Sequence, residues 1–462
     1  MRKLFVRDKH FYKIVLMLAI PVVLQNMITI AVNLLDTIML GNYGEIQLSG
    51  ASLANEMINL YQILCMGIGG GAAVLTAQYW GAGDGLALRK VVSIMVRISM
   101  SIALLFSVAA LTIPHTLMYI YTNDPAIVAK GAIYFRISAV SFLFMGLSQT
   151  LTIVLRSVRL VKVPLYTSFI TFAMNLFLNW VLIFGKLGAP EMQIAGAALA
   201  TTIARLFEML IISIYTFVVD KRIGLRVKDL FTRCGDYLYN YLHYSVPVII
   251  SDFLLGMGNT VSSIIMGHLG ASFVAANAIV SQVARLSTVM NQGIGNAGSI
   301  LTGNTLGENK PEKAYAQGVT FFMLSLVTGI AAGVFLLVVC PLIISSYNIT
   351  EETRMVAYSL MYAISIMVIF QSTQSMLTKG VLRGGGDTRF LMVADIVFMW
   401  LASLPLGYLA GFIWHLSPFW IYLLLKVDYL MKTVLCLYRL RSRKWIRIVH
   451  SPTPLASPAD TL

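Results

Sequence analysis

Long runs of apolar residues, separated by short polar stretches, recur along the whole chain. An α-helix needs about 20 apolar residues to cross the hydrocarbon core of a bilayer, and each run has roughly that length or more. The runs predict about twelve helices. They cover residues 13–40, 55–80, 91–113, 131–155, 164–184, 194–218, 244–268, 276–303, 315–345, 355–380, 389–413 and 418–438. The pattern therefore predicts an all-α membrane protein.

The composition excludes a water-soluble domain. Hydrophobic residues make up 58% of the 462 residues and charged residues only 12%, and the mean hydropathy is +0.79. Soluble domains carry roughly 25% charged residues. In a soluble protein, the net charge of +14 would suggest a nucleic-acid partner. Here the Lys and Arg residues lie between the apolar runs, so we expect the lipid bilayer as their partner and no nucleic acid.

The basic residues also predict the orientation of the chain. Most lie on one side of the predicted helices, above all in the run Lys221–Arg233 and at both ends of the chain, whereas the other side has little beyond Lys130, Lys186 and Arg354. The positive-inside rule places the basic side in the cytoplasm. We therefore expect a multi-pass plasma-membrane protein, typical of a bacterial cytoplasmic membrane, with both termini cytoplasmic.

The two halves of the chain repeat each other. Residues 67–84 read GIGGGAAVLTAQYWGAGD and residues 293–310 read GIGNAGSILTGNTLGENK. The same shift of 226 residues pairs Pro21 with Pro247 and Asn33 with Asn259. Equivalent helices start on the same side, which predicts parallel six-helix repeats of the kind that moves substrates by rocking one half against the other.

This duplication predicts the domain organisation. We expect a six-helix lobe over 1–218, a basic cytoplasmic linker over 219–243, a second six-helix lobe over 244–450, and a disordered Pro/Ser-rich tail over 451–462.

Several stretches resemble one transporter family in collinear order. They include AIPVVLQNMITIAVNLLDTIMLGNYG at 19–44, NLFLNWVLIFG from 175 and LRGGGDTRF at 382–390, and together they are similar to the MATE (multidrug and toxic compound extrusion) transporters. The resemblance implies two six-helix lobes that form a V around a central cavity. It also implies export of organic cations or other amphiphiles, driven by H⁺ or Na⁺. We expect the chain to work as a monomer.

Asp36 is the first candidate for ion coupling, because a carboxylate inside a membrane segment is costly and needs a partner or a function. Its repeat partner is Ser262, so the fold does not require an acid there. The resemblance adds Asn175, Asn179 and Thr201 as its polar partners. Relatives often carry Asp at the position of Asn179. With a single carboxylate we favour H⁺, and Na⁺ bound by these four residues is the other candidate. An inert carboxylate near the outer interface is the alternative interpretation.

In the second half, Asp252 and Asp395 are the candidate carboxylates. Asn33 of the first half and its repeat equivalent Asn259 are further candidates for cation coupling or substrate binding. Asp252 replaces Asn26 of the first half. Both carboxylates lie early in their helices, so placement at the cytoplasmic interface competes with a role in ion binding.

The absence of other motifs narrows the function. The sequence has no GxxxxGK[ST] nucleotide loop and no HExxH or paired Cys/His spacing, so we expect neither ATP nor a metal cofactor. Two alternatives remain open. A flippase for a lipid-linked glycan would need a cavity lined by cations, and an intramembrane enzyme would need a convergent nucleophile and base, which the sequence does not show. We expect a transporter, not an enzyme.

Overall fold

The structure, a computed structural model, describes residues 5–41, 43–347 and 349–449, and all regular secondary structure within them is helical. Eleven helices of this part of the chain are long and apolar enough to span a bilayer. We number them α1 to α11. Their bounds are Lys9–Gly41, Glu45–Ala82, Gly85–Thr112, Pro125–Ser157, Lys162–Phe184, Ile194–Val219, Gly235–His268, Ala271–Gly307, Pro311–Ser346, Glu351–Leu382 and Thr388–Ile413. A twelfth span, α12, consists of Pro418–Leu425 (α12a) and Val427–Ser442 (α12b).

The all-helical membrane fold predicted from the sequence is confirmed, with two local differences. The predicted helix over 418–438 is interrupted at Lys426, whose φ of −120° lies outside the helical range, and it continues to Ser442. Helix α7 begins at Gly235, inside the predicted linker, and Tyr237 in its first turn is fully buried. The rest of the linker contains one short 3₁₀ helix, Val227–Phe231.

The chain divides into two compact units that exchange segments. We call Leu24–Thr76 with Asp84–Ser245 the N unit, and Met1–Val23 with Ala77–Gly83 and Val246–His450 the C unit. Three transitions lie inside helices. Two of them lie close to a proline, Pro21 in α1 and Pro247 in α7, and the third, between Thr76 and Ala77 of α2, does not. A proline inside a helix removes one backbone hydrogen bond and favours a kink there. The predicted contiguous lobes, 1–218 and 244–450, remain predictions, and the predicted tail lies outside the described residues.

Close helix contacts explain the exchange. A Cβ at Gly293 of α8 would lie 2.7 Å from the carbonyl oxygen of Ala19, so the start of α1 packs directly on α8. A Cβ at Gly71 of α2 would lie 2.2 Å from the Cα of Ser245, so the start of α7 packs in the same way on α2. Ala19 and Ser245 are repeat equivalents. Each repeat therefore contributes the start of its first helix to the unit that holds the other repeat.

The ends of α2 and α8, both in the C unit, show the duplication at atomic level. A Cβ at Gly81 would lie 2.0 Å from the carbonyl oxygen of Asn304, and a Cβ at Gly307 would lie 1.9 Å from that of Gln78. The repeat shift of 226 pairs Gly81 with Gly307 and Gln78 with Asn304. Equivalent residues thus contact each other reciprocally, which is the arrangement that a parallel repeat produces.

Each unit has its own apolar core. In the N unit the ring of Phe142 packs edge-on against Tyr61, with the ring centroids 5.1 Å apart, and the Tyr61 hydroxyl donates to the Phe142 carbonyl. In the C unit, Leu336, Leu360 and Leu425 are fully buried in one cluster. Buried polar side chains occur alongside these apolar cores, and a buried polar group normally has a hydrogen-bond partner.

Candidate functional site

A chain of polar side chains in the N unit begins at Asp36 of α1. The Asn179 amide of α5 donates to Asp36 Oδ1 at 2.5 Å and also donates to Asn175 Oδ1 at 3.1 Å. The Asn175 amide in turn donates to the Thr201 hydroxyl of α6 at 3.3 Å. Asn175 and Asn179 are buried, one helical turn apart on one face of α5. The structure therefore brings together the four residues predicted for the first half.

Within the polar cluster of Asp36, Asn179, Asn175 and Thr201, one buried atom has no hydrogen-bond partner. Asn179 uses its amide hydrogens on Asp36 and Asn175, and its carbonyl oxygen makes no hydrogen bond to any described residue. Leaving a buried acceptor unsatisfied costs about 1–3 kcal/mol. The site thus holds an oxygen that a proton donor or a cation would satisfy.

Two residues at the edge of this chain were not predicted. Tyr134 of α4 is buried, its hydroxyl donates to Asn55 Oδ1 of α2 at 3.3 Å, and it interacts electrostatically with Asp36. Sequence spacing could not find them, because Tyr134 and Asn55 come from helices whose mutual placement is a tertiary property. They extend the polar cluster to five helices of the N unit.

The nearest cation to this site already has a partner. Arg205 of α6 interacts electrostatically with Asp36, but it pairs with Glu208 at 2.8 Å, as the spacing of these two residues predicts. Among the described residues, Asp36 makes no ion pair of its own. Its charge is therefore compensated by the amide hydrogen bond from Asn179 and by the electrostatic interaction with Arg205.

Asp252 of α7 has a direct cationic partner in the C unit. Arg383 Nη2 lies 3.1 Å from Asp252 Oδ1, and Arg383 Nη1 lies 3.4 Å from Asp252 Oδ2. Both side chains are largely buried, with 15% and 12% exposure for Asp252 and Arg383. The structure thus places Asp252 in an ion pair and separates it from Asp395.

Asp395 belongs to a second buried ion cluster. Lys432 Nζ of α12b lies 3.0 Å from Asp395 Oδ1 and 3.1 Å from Asp428 Oδ2, and the Ser251 hydroxyl donates to Asp395 Oδ2 at 2.5 Å. Lys432, with 1% exposure, is one of the most buried side chains of the molecule. Asp428 and Lys432 were not predicted as site residues. Their i, i+4 spacing in the last apolar run was the available signal.

Asn33 and Asn259 lie outside both clusters. Both are exposed, and the backbone carbonyl of Asn33 accepts from Thr37. The Asn259 side chain accepts from Lys426 Nζ at 3.5 Å. The structure therefore does not place either of them with a candidate carboxylate.

The LRGGGDTRF stretch makes structural contacts with the C-terminal segment of the C unit. Asp387 is fully buried, and it pairs with Arg439 at 2.6 Å and with Arg447 at 2.8 Å. The backbone of Arg447 also donates to the Gly385 carbonyl at 3.0 Å. This turn therefore holds the end of α12 and the following segment.

No group of three or more His, Cys, Asp or Glu side chains that could hold a metal ion occurs among the described residues. The four cysteines are free and buried.

Comparison with known proteins gives a family match that repeats within the chain. The MatE family model matches residues 21–181 and again residues 247–409, so its two copies start at the equivalent prolines. The chain is 25% identical to the probable multidrug resistance protein NorM of Thermotoga maritima, over 93% of this chain and 92% of that protein. It is 26% identical to the multidrug resistance protein NorM of Vibrio vulnificus, over 87% and 90% of the two chains.

The solved structures agree on the fold. A MOP superfamily transporter from Pyrococcus furiosus superposes with a TM-score of 0.83 and 18% sequence identity, covering 94% of this chain and 96% of that one. An outward-facing multidrug resistance MATE family transporter superposes with a TM-score of 0.84 and 18% identity, covering the same shares of the two chains.

Proposed function

The chain belongs to the MatE family of membrane transporters, and we propose that it exports amphiphilic organic compounds, cations among them, in exchange for protons by alternating access. Its relatives are named as multidrug resistance proteins. The observation that carries the proposal is Asp36, a carboxylate inside a membrane helix that is held by Asn179 and has no ion pair with a described residue. The protein works as a monomer.

The neutral partners of Asp36 suit a proton. The side-chain amide groups of Asn175 and Asn179 keep nearly the same shape when they rotate by 180°. Each can therefore exchange the positions of its donor nitrogen and its acceptor oxygen. With Asn179 reversed, its carbonyl accepts from a protonated Asp36. With Asn175 reversed, its amide donates to Asn179 and its carbonyl accepts from Thr201. The hydrogen bonds that link the four side chains can therefore form in both the charged and the neutral state of Asp36 without moving a helix.

Sodium is the second candidate for the coupling ion. Asp36, Asn175, Asn179 and Thr201 offer the oxygen ligands that hard cations accept. Only one of these oxygen donors is a carboxylate, and its charge must compensate the whole cost of removing water from the ion. We therefore place protons first.

An efflux assay in proteoliposomes that contain the purified protein distinguishes H⁺ from Na⁺ as the coupling ion. Efflux of a cationic dye is measured under a proton gradient alone and then under a sodium gradient alone. We expect transport under the proton gradient and its loss in Asp36→Asn, with Asn33→Ala, which changes an exposed amide three residues earlier, as the matched control. Full proton-driven efflux by folded Asp36→Asn protein would remove Asp36 from the mechanism.

We also propose that both termini and the loop with Lys221–Arg233 face the cytoplasm. Because the four native cysteines are buried, a single exposed cysteine gives a clear labelling signal. Lys228 is exposed in this loop. Lys228→Cys should resist a membrane-impermeant thiol reagent in intact cells and react after permeabilisation. Labelling of this cysteine in intact cells would mean that the loop faces the outside and would contradict the proposed orientation.

A further inference from the structure

The C unit contains a cavity of about 150 Å³ between α8, α10 and α12. Its polar lining comes from Ser281, Arg285 and Thr288 of α8, Gln371 of α10, and Tyr422, Lys426 and Tyr429 of α12. None of these residues belongs to the chain of polar groups around Asp36 or to the ion clusters of the C unit. The cavity is therefore a separate feature of the molecule.

The cavity is lined by two cations and by no carboxylate. Arg285 lies in the middle part of α8, and Lys426 lies at the break between α12a and α12b. Neither forms an ion pair with a residue that the structure describes. The contacts of Lys426 are weak, namely the Asn259 carbonyl oxygen at 3.5 Å and the Tyr429 ring at 5.8 Å. Arg285 is exposed and Lys426 is half-buried, so both are accessible to a ligand. An unpaired cation within a membrane segment is a candidate for ligand binding.

The nearby carboxylates are already committed to other partners. Asp428, next to the break, interacts electrostatically with Lys426, but its oxygens bind Lys432 at 3.1 Å and the Ser403 hydroxyl at 3.3 Å. Asp252, on the neighbouring α7, is paired with Arg383. The cations of the cavity are thus available to a ligand, and the cavity has no free negative group for a cationic one.

The aromatic and apolar residues that line the rest of the cavity can pack against an aromatic ring of a ligand. Tyr422 and Tyr429 offer aromatic faces and hydroxyl donors, and Ile364 and Met367 offer apolar surface. A cavity of about 150 Å³ is large enough for one benzene-sized ring. We propose that this cavity binds an amphiphilic organic acid, with its anionic group between Arg285 and Lys426 and its apolar body against the tyrosines and Met367. The proposal widens the substrates of the proposed transporter to anions, but binding at this site does not depend on proton coupling.

The test compares two probes of one shape and opposite charge. Binding of benzoate and of phenyltrimethylammonium to purified full-length protein is measured by equilibrium dialysis in a neutral detergent, with no ion gradient. We expect benzoate to bind about tenfold or more tightly than the cation, because two charged donors face the site. Equal binding, or tighter binding of the cation, would overturn the proposal without any variant being made.

Variants then locate the site. Arg285→Gln and Lys426→Gln should each weaken benzoate binding about tenfold, whereas Lys426→Arg should retain most of it. Arg354→Gln, which removes a cation elsewhere in the C unit, is the matched control and should change nothing. Unchanged benzoate binding in both folded Gln variants would show that the anion binds elsewhere and would refute the assignment.

One further arm identifies the source of the acid. If added phosphatidylglycerol displaces benzoate, the natural occupant is a lipid headgroup; if it does not, the occupant is a soluble organic acid. Both results support an anion site. Because no gradient is used, loss of proton-driven efflux and loss of benzoate binding are separate results, so this inference and the proposed coupling can fail independently.

Discussion

The buried carboxylates of the two units are compensated in different ways. In the N unit, Asp36 receives a hydrogen bond from the amide of Asn179. In the C unit, Asp252 pairs with Arg383, and Asp395 and Asp428 share Lys432. The two repeats therefore share their helices and helix packing but differ in how their buried carboxylates are compensated.

The difference has a physical consequence. When a carboxylate with a buried cationic partner is neutralised, the cation is left uncompensated, which costs several kcal/mol. When a carboxylate with amide partners is neutralised, its neighbours only need to reorient. We therefore expect the charge of the N unit to change during transport and the charges of the C unit to stay fixed.

The largest expected effect is on the stability of the C unit. Lys432→Met leaves Asp395 and Asp428 together without a cation, and breaking a buried ion pair typically costs about 3–5 kcal/mol. Thermal and chemical unfolding of the purified protein would measure the loss. The control is the triple variant with Asp395→Asn and Asp428→Asn added, which removes the whole charge network and should recover much of the stability. A single variant as stable as the parent would mean that the cluster is not held by its charges.

The next effect is on the pH dependence of substrate affinity. Protonation removes the charge of Asp36, so the affinity for a cationic substrate should fall as the pH falls. By ordinary ligand coupling the change is about tenfold. Asp36→Asn should abolish this dependence. Asp252→Asn should weaken binding and keep the dependence, because Asp252 is held by Arg383. The comparison is wrong if the pH dependence is lost in Asp252→Asn and retained in Asp36→Asn.

A smaller effect is expected on ion selectivity. Asn179→Asp places a second carboxylate beside Asp36, which adds the negative charge that a dehydrated Na⁺ requires. Sodium-driven efflux should rise about fivefold or more relative to the parent. Asn33→Asp adds the same charge at an exposed position and should leave sodium-driven efflux unchanged. An equal response in both variants would mean that the added charge acts from a distance and not as a ligand.

The smallest effect is expected at an exposed pair of the C unit. Arg354 lies 2.8 Å from Glu351, but the two side chains are 36% and 72% exposed. Solvent-exposed pairs contribute at most about 1 kcal/mol, so Arg354→Ala should shift the unfolding transition only slightly. A loss as large as that in Lys432→Met would show that exposure does not govern the strength of these ion pairs.

Local pattern and family resemblance together predicted much of the site of the N unit. Asp36 was recognisable because it interrupts an apolar run, and the resemblance to the MATE transporters supplied Asn175, Asn179 and Thr201 as its partners. The partners of Asp252 and Asp395 were not predictable in this way. Arg383 and Lys432 lie 131 and 37 residues further along the chain, so only the packing of whole helices brings them close.

The sequence by itself determined the helical membrane fold and the duplication, because the lengths of apolar runs and the internal repeat are properties of the linear sequence. The tertiary structure alone decided three features: the exchange of helix starts at Pro21 and Pro247, the break at Lys426, and the assignment of each buried charge to its partner. Burial makes an unpaired charge expensive, and the identity of the partner depends on which helices lie side by side. A one-dimensional pattern does not contain that information.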